Sequence, residues 1–109
     1  MHHDQQSEVG SQVPAAREAH RALRAKISAI EDKCRQIQRD AVAMRRQRNV
    51  ILQTIPDLAT ETERVRARDD ADALILRAGL DELRIPLFHS EIGELLAKEC
   101  VILASLPEE

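Results

Sequence analysis

The chain has very few aromatic residues, with one Phe and no Tyr or Trp among its 109 residues. Aromatic side chains supply much of the buried area of globular cores, so an independent compact core is not expected. Gly and Pro are also scarce, whereas charged residues make up 32% of the chain. This composition predicts long helices, and no stretch alternates long enough between apolar and polar residues to indicate a sheet.

Cysteine and long apolar runs are scarce as well. Cys34 and Cys100 are too few for a disulfide framework, and on apolar helical stripes free thiols act as small hydrophobic groups. We therefore expect an intracellular protein of the cytoplasm or nucleus. The polar beginning of the chain has no signal-peptide pattern. Charged side chains interrupt the most apolar stretch, residues 87–106, so the chain is predicted to be neither secreted nor transmembrane.

The patterns of most catalytic and metal sites are missing too. The sequence has no Gly-rich phosphate loop, no nucleophile elbow and no pair of acids in an apolar setting, so we expect no enzyme, cofactor or small-molecule substrate. His20, Cys34, His89 and Cys100 are scattered, whereas a structural zinc site takes four ligands at close spacing. No metal site is predicted.

The strongest positive signal is an apolar seam with alternating steps of four and three residues. A repeat kept this long favours supercoiling with a partner helix, so the seam predicts a coiled coil that joins chains. Its members are Leu23, Ile27, Ile30, Cys34, Ile37, Ala41, Met44, Arg48, Ile51 and Ile55.

Charges beside the seam favour one pairing mode. In a parallel, in-register dimer Lys26 faces Glu31 of the other copy, and Asp40 faces Arg45. Both contacts are attractive, although such exposed pairs contribute only about 0.3–0.5 kcal/mol each. The predicted partner is therefore the chain itself, as a parallel dimer, or another helical subunit whose charges are unknown.

Two Ile-Pro pairs divide the chain, because the residue before Pro avoids helical backbone and Pro lacks the N–H donor. Ile55-Pro56 predicts either a kink or a chain reversal, and Ile85-Pro86 marks a second break. The predicted helices span residues 14–54, 57–84 and 88–106. The corresponding segments are a disordered polar tail (1–13), a coiled-coil helix (14–55), a second helix (56–85) and a C-terminal amphipathic helix (86–109).

The fold class that follows is all-α. We expect one long coiled-coil helix and two shorter ones, in a helical hairpin or bundle that oligomerisation or a partner completes.

The last helix has an apolar face too broad for one neighbour to cover, so it is the predicted docking surface for a partner. The residues of this face are Phe88, Ile92, Leu95, Leu96, Ile102, Leu103 and Leu106. Packing within an internal bundle is the alternative. In the second helix, Leu76, Leu80, Leu83 and Ile85 have the spacing of a nuclear export signal, which is also that of a buried helix face.

Residues 33–48 are strongly basic, and Arg35, Arg39 and Arg46 share the face opposite the seam. These arginines are the candidate anion-binding residues, with salt-sensitive phosphate contacts as the expected mode. A solvated coiled-coil face is the alternative. Nucleic acid is not the favoured partner, because the net charge is −3 and stacking aromatics are missing.

Residues 47–56 read Gln-Arg-Asn-Val-Ile-Leu-Gln-Thr-Ile-Pro. This segment resembles the end of the long dimerisation helix of nucleosome assembly proteins, where a basic pair, two aliphatic residues and Ile-Pro close the helix. The acidic residues 69–74 resemble a later stretch, and the likeness covers about a quarter of the chain. Leu58-Ala59 stands where that family has an aromatic pair. The resemblance implies a dimer associated with histones.

The sequence thus predicts a non-enzymatic coiled-coil interaction protein, a structural or adaptor subunit of a multi-protein complex. The alternative is a nuclear histone- or nucleic-acid-associated factor that uses the basic face of the first helix.

Overall fold

A computed structural model describes the backbone of residues 2–107 and the side chains of residues 13–107. The chain is all-α, as predicted, with no strand in the described part. Its helices are α1 (His2–Thr54), α2 (Glu61–Glu82) and α3 (Ile85–Ser105), and a short 3₁₀ turn (Ile55–Asp57) follows α1.

α1 begins at His2, well before the predicted start at residue 14. The segment 1–13 was predicted to be disordered, whereas the backbone of residues 2–13 is helical. Gln and Glu in this segment have good helix propensity. Pro14 lies inside the helix, where its missing N–H removes one hydrogen bond. Met1 and the side chains of residues 1–12 lie outside the described part.

The chain reverses direction after α1. Ile55–Asp57 forms the 3₁₀ turn with Pro56 in its first positions, and Leu58 has extended backbone. Thr60 caps α2, because its side-chain oxygen accepts a hydrogen bond of 3.1 Å from the backbone N–H of Glu63. α2 then runs back along the end of α1. Ile55-Pro56 is therefore a reversal, not a kink.

The start of α2 differs from its predicted position at residue 57. The residues after Pro56 complete the 3₁₀ turn and form an extended link. Thr60 then provides the N-terminal cap of α2. α3 begins at Ile85, earlier than predicted, because Pro86 lies in its first turn, where a missing N–H costs no hydrogen bond.

The chain divides into two compact units, residues 1–31 with 88–109 and residues 32–87. In the first unit α3 packs against α1. The core of this unit consists of Leu23, Ile27, Ile30 and Leu95, with Phe88, Ile92 and Ile102 packed around it. A polar contact lies beside this core. The carboxylate of Glu99 lies 3.1 Å from Nε2 of His20 and accepts a hydrogen bond of 3.4 Å from the guanidinium of Arg24.

The second unit is a hairpin of the last part of α1 and α2. The guanidinium of Arg45 pairs with the carboxylate of Glu82 near the end of α2, through two hydrogen bonds. Ile51 lies near Ala73 and Leu74, closer to the turn. The two helices are therefore antiparallel. On α2 the fully buried residues are Ala71 and Ala78, and such small side chains permit a close helix–helix approach.

Candidate protein interface

Nine of the ten seam residues lie on one face of α1, and Ile55 lies in the 3₁₀ turn that follows it. All ten are at least half-covered within the single chain. The first six residues, Leu23 to Ala41, are buried, and the last four, Met44 to Ile55, are half-buried. In the first unit the covering side chains come from α3. Pairing of two copies along this seam stays a prediction. It requires that α3 leave Leu23, Ile27 and Ile30.

The charged residues beside the seam also have neighbours within the chain. Arg45, predicted to face Asp40 of a second copy, pairs with Glu82 of its own chain. Asp40 accepts a hydrogen bond of 2.8 Å from the side-chain amide of Gln36. The attraction between Asp40 and Arg45 across a dimer would therefore compete with contacts already formed in one chain.

The predicted docking residues of α3 fall into two groups. Phe88, Ile92, Leu95 and Ile102 pack in or around the core of the first unit, and Leu106 is half-buried. Leu96 and Leu103 remain exposed. Val101, which the sequence prediction omitted, is 72% exposed. A partner contact on α3 stays a prediction. Leu96 and Leu103, seven residues apart, share one side of α3, whereas Val101 lies on another side, beside Ala19 and Ala22 of α1.

The structure brings the three predicted anion-binding arginines together. Arg35, Arg39 and Arg46 line one shallow depression of about 530 Å³ on α1, around the exposed side chain of Val42. Arg35 forms an ion pair with Asp32, and Arg39 donates a hydrogen bond of 3.3 Å to Gln36. The depression is basic, but two of its three guanidinium groups already have partners on the same helix.

The most exposed apolar surface of α2 was not predicted as a binding site. Leu76, Leu80, Leu83 and Leu87 follow one another in steps of four, three and four, and they are 63%, 56%, 67% and 71% exposed. The first two lie on α2, Leu83 is its C-terminal cap and Leu87 lies in the first turn of α3. We call these four residues the outer leucine stripe. Leu76 to Leu83 lie on the side of α2 opposite Ala71 and Ala78, which are 0% exposed.

A sequence signal for this arrangement exists. Ala71 and Ala78 are seven residues apart, so a second apolar face of α2 runs parallel to the leucines. A helix with one alanine face and one leucine face can contact two neighbours. The spacing of Leu76, Leu80 and Leu83 fits an export signal or a buried helix face, and within this chain the three leucines are exposed.

The described residues also include the candidate metal ligands, the helices to be compared with membrane spans, and two thiols. Among the described side chains of residues 13–107, no three His, Cys, Asp or Glu come together as a metal-binding group. None of the helices within residues 2–107 is both long and apolar enough to cross a membrane. Cys34 is buried and Cys100 exposed, and both thiols are free.

Comparisons with known proteins provide no assignment. No family model matches the chain, and no significant match was found among curated proteins or solved structures.

Proposed function

We propose that this chain is a non-enzymatic helical interaction protein, a structural or adaptor subunit of a multi-protein complex. The observation that carries the proposal is the amount of aliphatic surface left uncovered on two helices, the outer leucine stripe near the end of α2 and Leu96, Val101 and Leu103 on α3. Contiguous apolar patches on the surface of a protein usually mark sites of contact with another molecule.

The mode of recognition that fits these surfaces is helix against helix. In the outer leucine stripe, aliphatic side chains spaced by three and four residues present one line of anchors to a partner helix or to a groove. Burial of a leucine side chain contributes about 1.5–3 kcal/mol, so a few such anchors are sufficient for a specific contact. The two free thiols agree with a reducing compartment, and we propose the cytoplasm or nucleus.

The test is cross-linking in intact cells followed by size separation and identification of the attached polypeptides. We expect the chain to migrate in an assembly with other polypeptides. Leu96→Asp with Leu103→Asp is expected to release part of it, because both substitutions place charge in the contact. Val50→Asp, at an exposed position of α1, is the matched control. Migration of the chain alone or attached only to itself would contradict the proposal.

The second candidate is a histone- or nucleic-acid-associated factor. The observation that favours it is the shared depression lined by Arg35, Arg39 and Arg46. Phosphate contacts would make binding fall steeply with salt concentration. If this role holds, Arg39→Ala and Arg46→Ala will reduce the salt dependence, whereas the same change at Arg66 and Arg68 in α2 will not.

A further inference from the structure

We propose that the outer leucine stripe docks a second copy of this chain, with the two α2 helices parallel and in register. The inference rests on the proposed function and names its first partner. It places self-association on the exposed side of α2, whereas the sequence had predicted it along the covered seam of α1.

The stripe has the pattern of a short coiled-coil seam. Its steps of four, three and four residues correspond in sequence to positions d, a, d and a of a heptad, in which Leu76 and Leu83 are at d and Leu80 and Leu87 at a. Leu76 and Leu80 lie on α2, Leu83 caps it with helical backbone (φ −63°, ψ −17°), and Leu87 lies in the first turn of α3. In a parallel pair each leucine meets the same residue of the second copy. Leu76, Leu80 and Leu83, each more than half exposed in one chain, would be covered by one another.

Charge complementarity identifies the second copy as the occupant. Asp72 is at position g and Arg77 at position e, on opposite sides of the stripe. In a parallel, in-register pair the g residue of one copy faces the e residue five positions later in the other. Asp72 of each copy therefore faces Arg77 of the other, which gives two attractive pairs related by the two-fold axis.

Both residues are available for this contact. Asp72 and Arg77 are exposed, and neither takes part in the side-chain hydrogen bonds or ion pairs of the described part of the chain. The next pair of flanking positions is occupied by Gly79 and Arg84. A Cβ added at Gly79 would have no atom within 4 Å, so that side of the helix leaves room for a long side chain.

The opposite orientation brings like charges together. In an antiparallel pair centred on Leu80 and Leu83, residues at position e face each other. Arg77 of one copy would then lie near Arg84 of the other, and the symmetry would repeat this repulsion. The flanking charges thus favour the parallel arrangement.

The stripe is short, so the dimer should dissociate on dilution. Asp69 occupies the d position before Leu76, and a buried carboxylate there would be unfavourable. Ala73, between Asp69 and Leu76, is therefore the first residue that can extend the apolar seam. Contacts that cover less than a standard interface form weak or transient complexes. We expect a reversible dimer at high micromolar concentration.

The first experiment measures the mass of the purified chain by light scattering over a range of concentrations. The wild type is expected to be a dimer that dissociates on dilution, and Leu80→Glu a monomer with unchanged helicity by circular dichroism. Val50→Glu, which places the same charge on another exposed aliphatic position, should leave the dimer intact. A monomeric wild type, or a dimer that Leu80→Glu leaves unchanged, would overturn the proposal.

The second experiment tests orientation by charge reversal. Arg77→Asp and Asp72→Arg should each raise the dimer dissociation constant several-fold, and the combined variant should restore the wild-type value. An antiparallel pair makes the opposite prediction for Arg77→Asp, because the new carboxylate would face Arg84. Tighter association of that variant would therefore overturn the parallel arrangement.

A cross-link gives a readout that does not depend on a disruptive substitution. Leu83→Cys in a chain carrying Cys34→Ser and Cys100→Ser should form a disulfide-linked dimer under mild oxidation, since position 83 faces its own copy in the parallel pair. Val50→Cys in the same background is the control. A linked dimer no more abundant than with Val50→Cys would count against the proposal.

Failure of this inference and failure of the proposed function give different results. A purified monomer that is nevertheless held in an assembly with other polypeptides in cells would reject self-docking and retain the proposed function. A dimer in solution that associates with no other polypeptide in cells would retain self-docking and reject the adaptor role.

Discussion

The residues of α2 place their small side chains inside and their large ones outside. Ala71 and Ala78 are fully buried, and the leucines of the opposite side are exposed. Alanine allows two helices to approach closely, but it buries less apolar area than leucine. Each Å² of buried apolar area contributes roughly 25 cal/mol to stability. The arrangement thus gives up stability of the lone hairpin and leaves the larger apolar groups available for another contact.

Thr60 is the residue that sets the start of α2, and its removal should be measurable. Thr60→Ala should lower the free energy of unfolding by about 1 kcal/mol, because the N–H of Glu63 loses its side-chain acceptor. Chemical denaturation followed by circular dichroism gives this value. Thr62→Ala, two residues further along the helix and exposed, is the control and should change stability far less. Equal losses would show that Thr60 is not the effective cap.

The cap could have been located from sequence. Thr60 and Glu63 have the Thr-x-x-Glu spacing of a capping box, whereas the sequence prediction started this helix at residue 57, directly after Pro56. Pro56 instead occupies the 3₁₀ turn. Pro favours both positions for the same reason, its fixed φ and missing N–H, so the Ile-Pro pair alone does not distinguish them.

At the scale of elements, α3 combines a packed side and a free side. Leu95 is buried against the core residues of α1, whereas Leu103 on the same helix is 46% exposed. The broad apolar face that the sequence indicated is therefore divided between internal packing and open surface. Helical periodicity locates such a face, but it does not say how much of it the chain itself will cover.

A matched pair of truncations tests this division. Leu95→Ala should destabilise the chain by about 2–4 kcal/mol, because it leaves a cavity beside Leu23, Ile27 and Ile30. Leu103→Ala should cost less than about 1 kcal/mol, as expected of a partly exposed site. Urea unfolding at low protein concentration measures both. Similar values would show that α3 does not pack through Leu95.

The same limit applies to the seam of α1. Its period predicts pairing with another chain, and all ten seam residues are buried or half-buried within the single chain. The pattern for packing against another chain is the same as that for packing against a later helix of the same chain. A chain reversal at Pro56 is what allows α1 to pack against a later helix of its own chain. The sequence did not distinguish that reversal from a kink.

At the scale of the whole molecule, the chain divides into two compact units, and α1 contributes residues to both. Its first part belongs to one unit and its last part to the other. Both units bury aliphatic and small side chains, and the single aromatic residue, Phe88, lies beside the core of the first. A chain nearly devoid of aromatic residues can thus form cores when helices pair along narrow faces.

Thiol reactivity reports on the integrity of this arrangement. Cys34 is buried and Cys100 exposed, so N-ethylmaleimide should modify Cys100 at once and Cys34 only as fast as the chain opens. Mass spectrometry of Cys100→Ser, which leaves one thiol, measures the slow rate, and Cys34→Ser is the control for the fast one. Rapid labelling of Cys34, or a disulfide-linked dimer of Cys100→Ser, would indicate that the α1 seam is open.

The residues that cover the first seam positions arrive late in synthesis. Leu23, Ile27 and Ile30 leave the ribosome long before Leu95, which completes their core. At roughly 5–20 residues per second, this part of α1 stays uncovered for several seconds. During that interval two nascent chains on one messenger RNA can meet through the heptad seam, before either has the helix that will cover it.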